Sequence, residues 1–257
     1  MMARLLRPLA AFVVIALGLT ACSSALPIST TRSTAEPAVV YAAIGASETY
    51  GTGAEDRYRQ AWPQLFYNDA LPQSAVFYNF GVPGINTAQA LKDELPGALR
   101  VKANVVTVWL NVNDLVQGVS PSVYAGQLRQ LVHGLRRGDA ARVLVANVPD
   151  LRELPAFKAC LPTAAAAGPT CPISPSLVPS ADKLLQLINA YNALIAQVVK
   201  QEGATLVDLF QNGSAIGQHP DWISSDGFHP SAAGYAAIAK SFEDAYHGSA
   251  NARPSAR

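Results

Sequence analysis

Four short segments of this 257-residue chain carry residue types that can cooperate in acyl transfer. They are Gly45-Ala46-Ser47-Glu48-Thr49, then Asn79-Phe80-Gly81-Val82-Pro83-Gly84-Ile85-Asn86-Thr87, then Asn111-Val112-Asn113-Asp114, and finally Asp226-Gly227-Phe228-His229-Pro230. A serine hydroxyl is a poor nucleophile until a positioned imidazole takes its proton, and the imidazole needs an acceptor on its other nitrogen to fix the tautomer. Asp226 and His229 meet both needs, because residues three apart in a turn ended by Pro230 can face one another. An attacked ester carbonyl develops negative charge, and donors aimed at that oxygen are typically worth ~3 to 4 kcal/mol each in the transition state. Other chemistries lack their residues: His133, His219 and His247 form no metal spacing, and there is no His-Glu-x-x-His and no phosphate-binding glycine loop.

Such segments need a scaffold that gathers them. Apolar runs at Val39 to Ile44, Ala75 to Phe80, Val105 to Leu110, Arg142 to Val148 and Thr205 to Leu209 read as buried strands. Helical patterns occupy about 58–71, 87–95, 121–137, 181–202 and 231–247. The clearest puts Leu184, Leu187, Ile188, Tyr191, Leu194, Ile195 and Val198 on one face, and the last puts Tyr235, Ile238, Ala239, Phe242 and Tyr246 on another. Five alternations of strand and helix predict a parallel sheet with helices on both faces, since right-handed crossovers place them there. In such sheets chemistry lies beyond the carboxyl ends of the strands. The first three polar segments stand just after the first three runs, and the fourth just before the last helix.

In this order and at these places the four segments resemble the SGNH hydrolase family, also called GDSL-type esterases and lipases. The resemblance runs over roughly residues 38–247 and includes Trp62-Pro63. It implies a three-layer α/β/α sandwich with a central five-stranded parallel sheet, flavodoxin-like, and hydrolysis of a carboxylic ester without a cofactor. It also implies Ser47 as nucleophile, His229 as base, Asp226 as the carboxylate orienting it, and Ser47, Gly81 and Asn113 as the oxyanion hole. Asn79, Gly84 and Thr87 read as structural: a strand end, a turn and a helix cap. Asp114 reads as a structural hydrogen-bond partner, and Ser231 as a helix N-cap. Two positions depart from the family pattern: Ala46 stands where Asp is usual, and Asn111 stands where Gly is usual. Asn is the non-Gly residue best able to take a left-handed backbone there. The substrate expected is a small-molecule, lipid or glycan ester. The alternatives are a carbohydrate O-deacetylase sharing the mechanism and a non-catalytic lipoprotein that binds a glycan or lipid.

Composition fits a folded domain. The 19 Lys plus Arg nearly balance 18 Asp plus Glu, and half the residues are hydrophobic, which excludes a disordered chain. The absence of a basic cluster argues against nucleic acid as a partner. Residues 1–21 read as an export signal: Arg4 and Arg7 precede an apolar stretch from Leu9 to Thr20, too short for the ~20 residues of a spanning helix. Its end, Leu19-Thr20-Ala21-Cys22, resembles the bacterial lipobox, which implies lipidation of Cys22 and membrane anchoring in the cell envelope. Residues 22–37 read as a Ser/Thr-rich tether and 248–257 as a disordered tail. In an oxidising compartment Cys160 and Cys171 read as a disulfide. They lie in the proline-rich stretch 149–180, which leaves the carboxyl end of the fourth strand and reads as a lid or acyl-pocket element.

Overall fold

The computed structural model describes residues 39–162, 171, 178–213 and 216–251. Five strands, β1 (Val40–Gly45), β2 (Val76–Asn79), β3 (Val105–Trp109), β4 (Arg142–Ala146) and β5 (Thr205–Val207), form one sheet in the order β2-β1-β3-β4-β5. Every pairing is parallel. The helices in chain order are α1 (Ser47–Tyr50), α2 (Arg57–Gln60), α3 (Trp62–Ala70), α4 (Thr87–Asp93), α5 (Leu95–Arg100), α6 (Val112–Val116) and α7 (Pro121–Arg136). They continue with α8 (Pro155–Lys158), α9 (Ala181–Gln201), α10 (Leu209–Gly213) and α11 (Ala232–Asn251).

The strands are apolar throughout because both sheet faces are covered. Side chains alternate across a strand, so Ala42 and Ile44 join Val106, Val108, Val143 and Val145 in a core closed by α4, α5, α7 and α9. Tyr41 and Ala43 face the other way, with Val105, Trp109, Leu144 and Ala146, into a core closed by α3 and α11. There Trp62 stacks on Phe242 at 4.1 Å between centroids, and such a pair adds about 0.5–1.5 kcal/mol beyond its burial. The edge strand β2 is the exception, with Val76 and Tyr78 exposed.

All five expected strands are present, and the boundaries that differ have local causes. The helix expected over 58–71 is two helices, broken at Ala61, whose backbone is extended. A continuous helix would set the Pro63 ring against the Arg59 carbonyl and leave that carbonyl without an N–H. Pro96 acts in the same way on the pattern at 87–95, where α4 stops at Asp93 and α5 begins at Leu95. β5 ends at Val207 because the Asp208 side chain accepts from the Phe210 and Gln211 N–H groups and starts α10. α11 runs to Asn251, past the 247 expected from the pattern. Four short helices, α1, α6, α8 and α10, follow the ends of β1, β3, β4 and β5; at four or five residues they carry no readable periodicity.

Candidate active site

The first strand delivers a serine under steric constraint. β1 ends at Gly45 and Ser47 opens α1, buried except for 7% of its surface. A Cβ at Gly45 would lie 2.0 Å from Thr49 Oγ1 and 2.8 Å from the Trp109 carbonyl oxygen, so only glycine fits between the turn and β3. The Gly45 N–H donates to Glu94 Oε2 at 3.0 Å. Glu94 stands at the junction of α4 and α5, and burial pushes its carboxyl up to about 8 against the hydrogen bonds from the Gly45 and Val82 N–H groups.

The fourth segment comes to the same point from the loop before α11. His229 Nε2 lies 3.0 Å from Ser47 Oγ, and His229 Nδ1 lies 2.6 Å from Asp226 Oδ2. The turn fixes its own carboxylate: Asp226 Oδ1 accepts from Ser224 Oγ and from the Phe228 and His229 N–H groups at 2.8–2.9 Å. Burial works against the charge, but these bonds and that from His229 outweigh it and hold the carboxyl down to about 2. Asp226 is therefore an acceptor at neutral pH, which puts the imidazole proton on Nδ1 and leaves Nε2 to accept from the serine. Gly227 supplies the left-handed residue of the turn (φ 75°), and an antiparallel bridge between Ile223 and Pro230 closes the loop. Ser231 caps α11 through the Gly234 N–H, as expected.

The second and third segments flank the serine because β2 and β3 are the neighbours of β1. The register pairs Gly45 with Trp109, so the segments that carry Ser47 and Asn113 leave adjacent strands from paired ends. Asn113 Nδ2 donates to the Ile85 carbonyl at 2.8 Å, which leaves its second N–H for another acceptor. The Gly81 N–H, expected as an open donor, instead donates to Asn79 Oδ1 at 2.9 Å, while Asn79 Nδ2 donates to the Thr49 carbonyl at 2.7 Å. Asn79 thus clips the second segment to α1. The clip is tight: a Cβ at Gly81 would lie 2.7 Å from the Tyr50 nitrogen.

A sequence model of the GDSL-like lipase/acylhydrolase family matches residues 43–237. The chain belongs to this family. The fold is that of solved structures at low identity. A lipase/acylhydrolase from Enterococcus faecalis matches at TM-score 0.62 and 17% identity, covering 82% of this chain and 96% of that one. TesA matches at TM-score 0.57 and 20% identity, covering 79% and 94%. The psychrotrophic esterase EstA from Pseudoalteromonas sp., in a structure inhibited by monoethylphosphonate, matches at TM-score 0.58 and 15% identity, covering 82% and 98%. No curated protein matches the sequence.

The two departures from the GDSL-family pattern have visible consequences. Ala46 is a buried apolar residue, and the turn it belongs to is held instead by Glu94. Asn111 does not take the left-handed backbone expected of it: its φ is −175°, and its side chain donates to the Ala146 carbonyl at 3.0 Å, tying the end of β3 to β4. With that bond in place the turn into α6 needs no positive φ. Asp114 is structural as expected, accepting from the Thr87 N–H and hydroxyl. Thr87 is the first residue of α4 rather than its cap; Asn86 caps the helix in a capping box with Gln89. Gly84 makes an open turn at φ 82°. His133 pairs with Glu202 and His219 stacks on Trp222. Among the described residues no cluster of three His, Cys, Asp or Glu is arranged to hold a metal, and no helix is long and apolar enough to cross a membrane.

Cys160 and Cys171 form a disulfide. Parts of the 149–180 stretch, residues 1–38 with Cys22 and the tether, and 252–257 lie outside the described residues. What is described of the stretch touches the site: the Ala156 N–H of α8 donates to the Gly227 carbonyl at 2.9 Å. Leu151 and Leu154 line a cavity of about 430 Å³ together with Trp109, Leu209, Phe228 and Ile238. That volume falls in the range of small-ligand sites, ~300–1,000 Å³. Two carboxyl residues line it, Glu48 and Asp244, and Glu48 Oε2 lies 3.3 Å from Ser47 Oγ. Sequence patterns flag neither Glu48 nor Glu94. The only available signal is a carboxylate amid residues otherwise fit for burial.

Proposed function

We propose that this GDSL-family member is a serine esterase that hydrolyses carboxylic esters through a covalent acyl-enzyme on Ser47. The observation that carries the reading is the unbroken chain from Ser47 Oγ through His229 to Asp226. His229 Nε2 takes the serine proton as Oγ attacks the ester carbonyl, and the resulting imidazolium is held by Asp226. The oxyanion is received by the Ser47 N–H, at the start of α1 where helical N–H groups lack internal partners, and by the free N–H of the Asn113 amide. The Gly81 N–H is the third donor of the set, available when Asn79 releases it. His229 then returns the proton to the leaving alcohol, and water repeats the sequence to free the acid. The largely apolar cavity is lined by Glu48, Phe228 and Pro230, the chain neighbours of Ser47 and His229, rather than by the two catalytic residues themselves, and its proximity supports an ester with a hydrocarbon acyl group.

Export and anchoring belong to the same proposal. The arginine-flanked apolar stretch and the residues before Cys22 support a lipid-bearing cysteine that holds the enzyme at the cell envelope membrane.

A fluorophosphonate probe tests the chemistry, and the phosphonate-inhibited esterase of the same fold recommends it. The probe adds once, at Ser47. Ser47→Ala and His229→Ala lose both labelling and ester turnover, and activity falls in acid, where a protonated imidazole cannot act as base. A folded Ser47→Ala variant with unchanged turnover would falsify the assignment.

A further inference from the structure

Ser47 has one hydroxyl proton and two neighbours able to accept it: His229 Nε2 at 3.0 Å and Glu48 Oε2 at 3.3 Å. Because Asp226 keeps the imidazole proton on Nδ1, Nε2 is an acceptor and the serine proton belongs to it. In the structure Ser47 Oγ donates to Glu48 Oε2; once His229 Nε2 takes the serine proton, that contact stays a hydrogen bond only when Glu48 brings a proton of its own. An ionised Glu48 would compete with His229 for the serine proton.

We propose that Glu48 is a further catalytic residue: in its protonated form it donates to Ser47 Oγ and so directs the serine proton to His229. This rests on the serine-esterase reading above. In acylation the Ser47 proton passes to His229 and the Glu48 proton stays in place. In deacylation Oγ becomes the leaving group, and the Glu48 hydroxyl donates to it as charge develops while the imidazolium returns the proton. Glu48 ends each cycle as it began.

Burial disfavours the charged form of this carboxyl. Glu48 is buried at the wall of the apolar cavity, and burial pushes its carboxyl above the ordinary range, against its own backbone N–H, the His229 charge and the Ser47 hydrogen bond. The groups packed around it offer no fixed cation. Trp109 comes from β3, and Tyr235 comes from α11 with its hydroxyl donating to the Thr52 carbonyl. The His229 loop adds the negative charge of Asp226. Lys240, which also lines the cavity, is paired with Asp244.

The test is the pH profile of kcat on a soluble ester for the wild type, Glu48→Gln and Glu48→Leu, with thermal melts at each pH. The wild type declines on the alkaline side as Glu48 ionises. Glu48→Gln keeps a donor that cannot ionise, so it loses the alkaline decline and retains kcat to within about threefold, an amide being the weaker donor. Glu48→Leu also lacks the decline and loses about tenfold relative to the wild-type plateau below the decline, the rate equivalent of one hydrogen bond. A shared alkaline decline in all three proteins, or wild-type kcat in Glu48→Leu, overturns the proposal. A purely structural role would lower melting temperature without removing the decline. Ser47→Ala, run alongside, reports separately on the serine reading itself.

Discussion

A carboxyl's role in this site is set by what surrounds it. Asp226 collects three donors from its own turn and stays charged, whereas Glu94 receives backbone N–H groups in a buried pocket and keeps its proton to about 8. The sign of the Glu94 effect on stability follows. The unfolded chain releases that proton near the ordinary 4.5 while the folded protein retains it, so folding is favoured below 4.5 and the benefit drains away as pH rises to about 8. Glu94→Gln cannot ionise and still accepts from Gly45, so its melting temperature rises relative to wild type between pH 5 and pH 8. Parallel melting curves at the two pH values would remove the argument. Asn113→Ala tests the other side of the site: loss of one oxyanion donor costs ~10²–10³ in kcat with little change in KM. The grouping of Ser47, Asp226 and His229 was legible because their residue types and the local turn point to it, whereas Asn113 was singled out by the family resemblance. Glu48 and Glu94 were not legible, because their partners are fixed by burial and, for Glu94, by a contact with Gly45 across 49 residues.

At the scale of elements, strands were more legible than helix boundaries. Apolar runs mark buried parallel strands directly, whereas the pattern at 58–71 runs through the break that Pro63 imposes at Ala61, and that at 87–95 runs through the junction at Glu94 ahead of Pro96. α8 and the disulfide pose a sharper question about element and site. Cys160 sits just after α8, Ala156 of α8 holds the Gly227 carbonyl of the histidine loop, and Leu151 and Leu154 wall the cavity. Closing a short loop restricts the unfolded chain by about 3 kcal/mol in the entropic account, but neither cysteine belongs to the two cores that cover the sheet. A Cys160→Ser/Cys171→Ser variant is therefore expected to fold and to keep most activity on an acetyl ester. It loses activity progressively as the acyl chain lengthens, since each methylene then meets a looser wall. Equal loss at all chain lengths would show that the disulfide serves the α8 contact to Gly227, and through it His229, rather than the cavity.

For the whole molecule, the legible feature was the alternation of strand and helix, which dictates a parallel sheet and puts every chemical segment at one edge of it. The strand order could not be read from the pattern. It is the order β2-β1-β3 that sets Ser47 between the second and third segments. The membrane attachment proposed above would belong to a different part of the chain. The apolar stretch from Leu9 to Thr20 is too short to span a bilayer, so in the proposed reading retention at the membrane would depend on lipid added at Cys22, two or more acyl chains holding far more firmly than one. Cys22→Ser, expressed in a bacterial host that lipidates such proteins, is expected to leave the detergent-extracted membrane fraction. The described residues contain none of the proposed anchor, so specific activity on a soluble ester stays at the wild-type level in that variant. Mass spectrometry of the wild type should find a lipid-modified N-terminal Cys22. An unmodified N-terminus at another residue would refute the anchor while leaving the esterase reading intact.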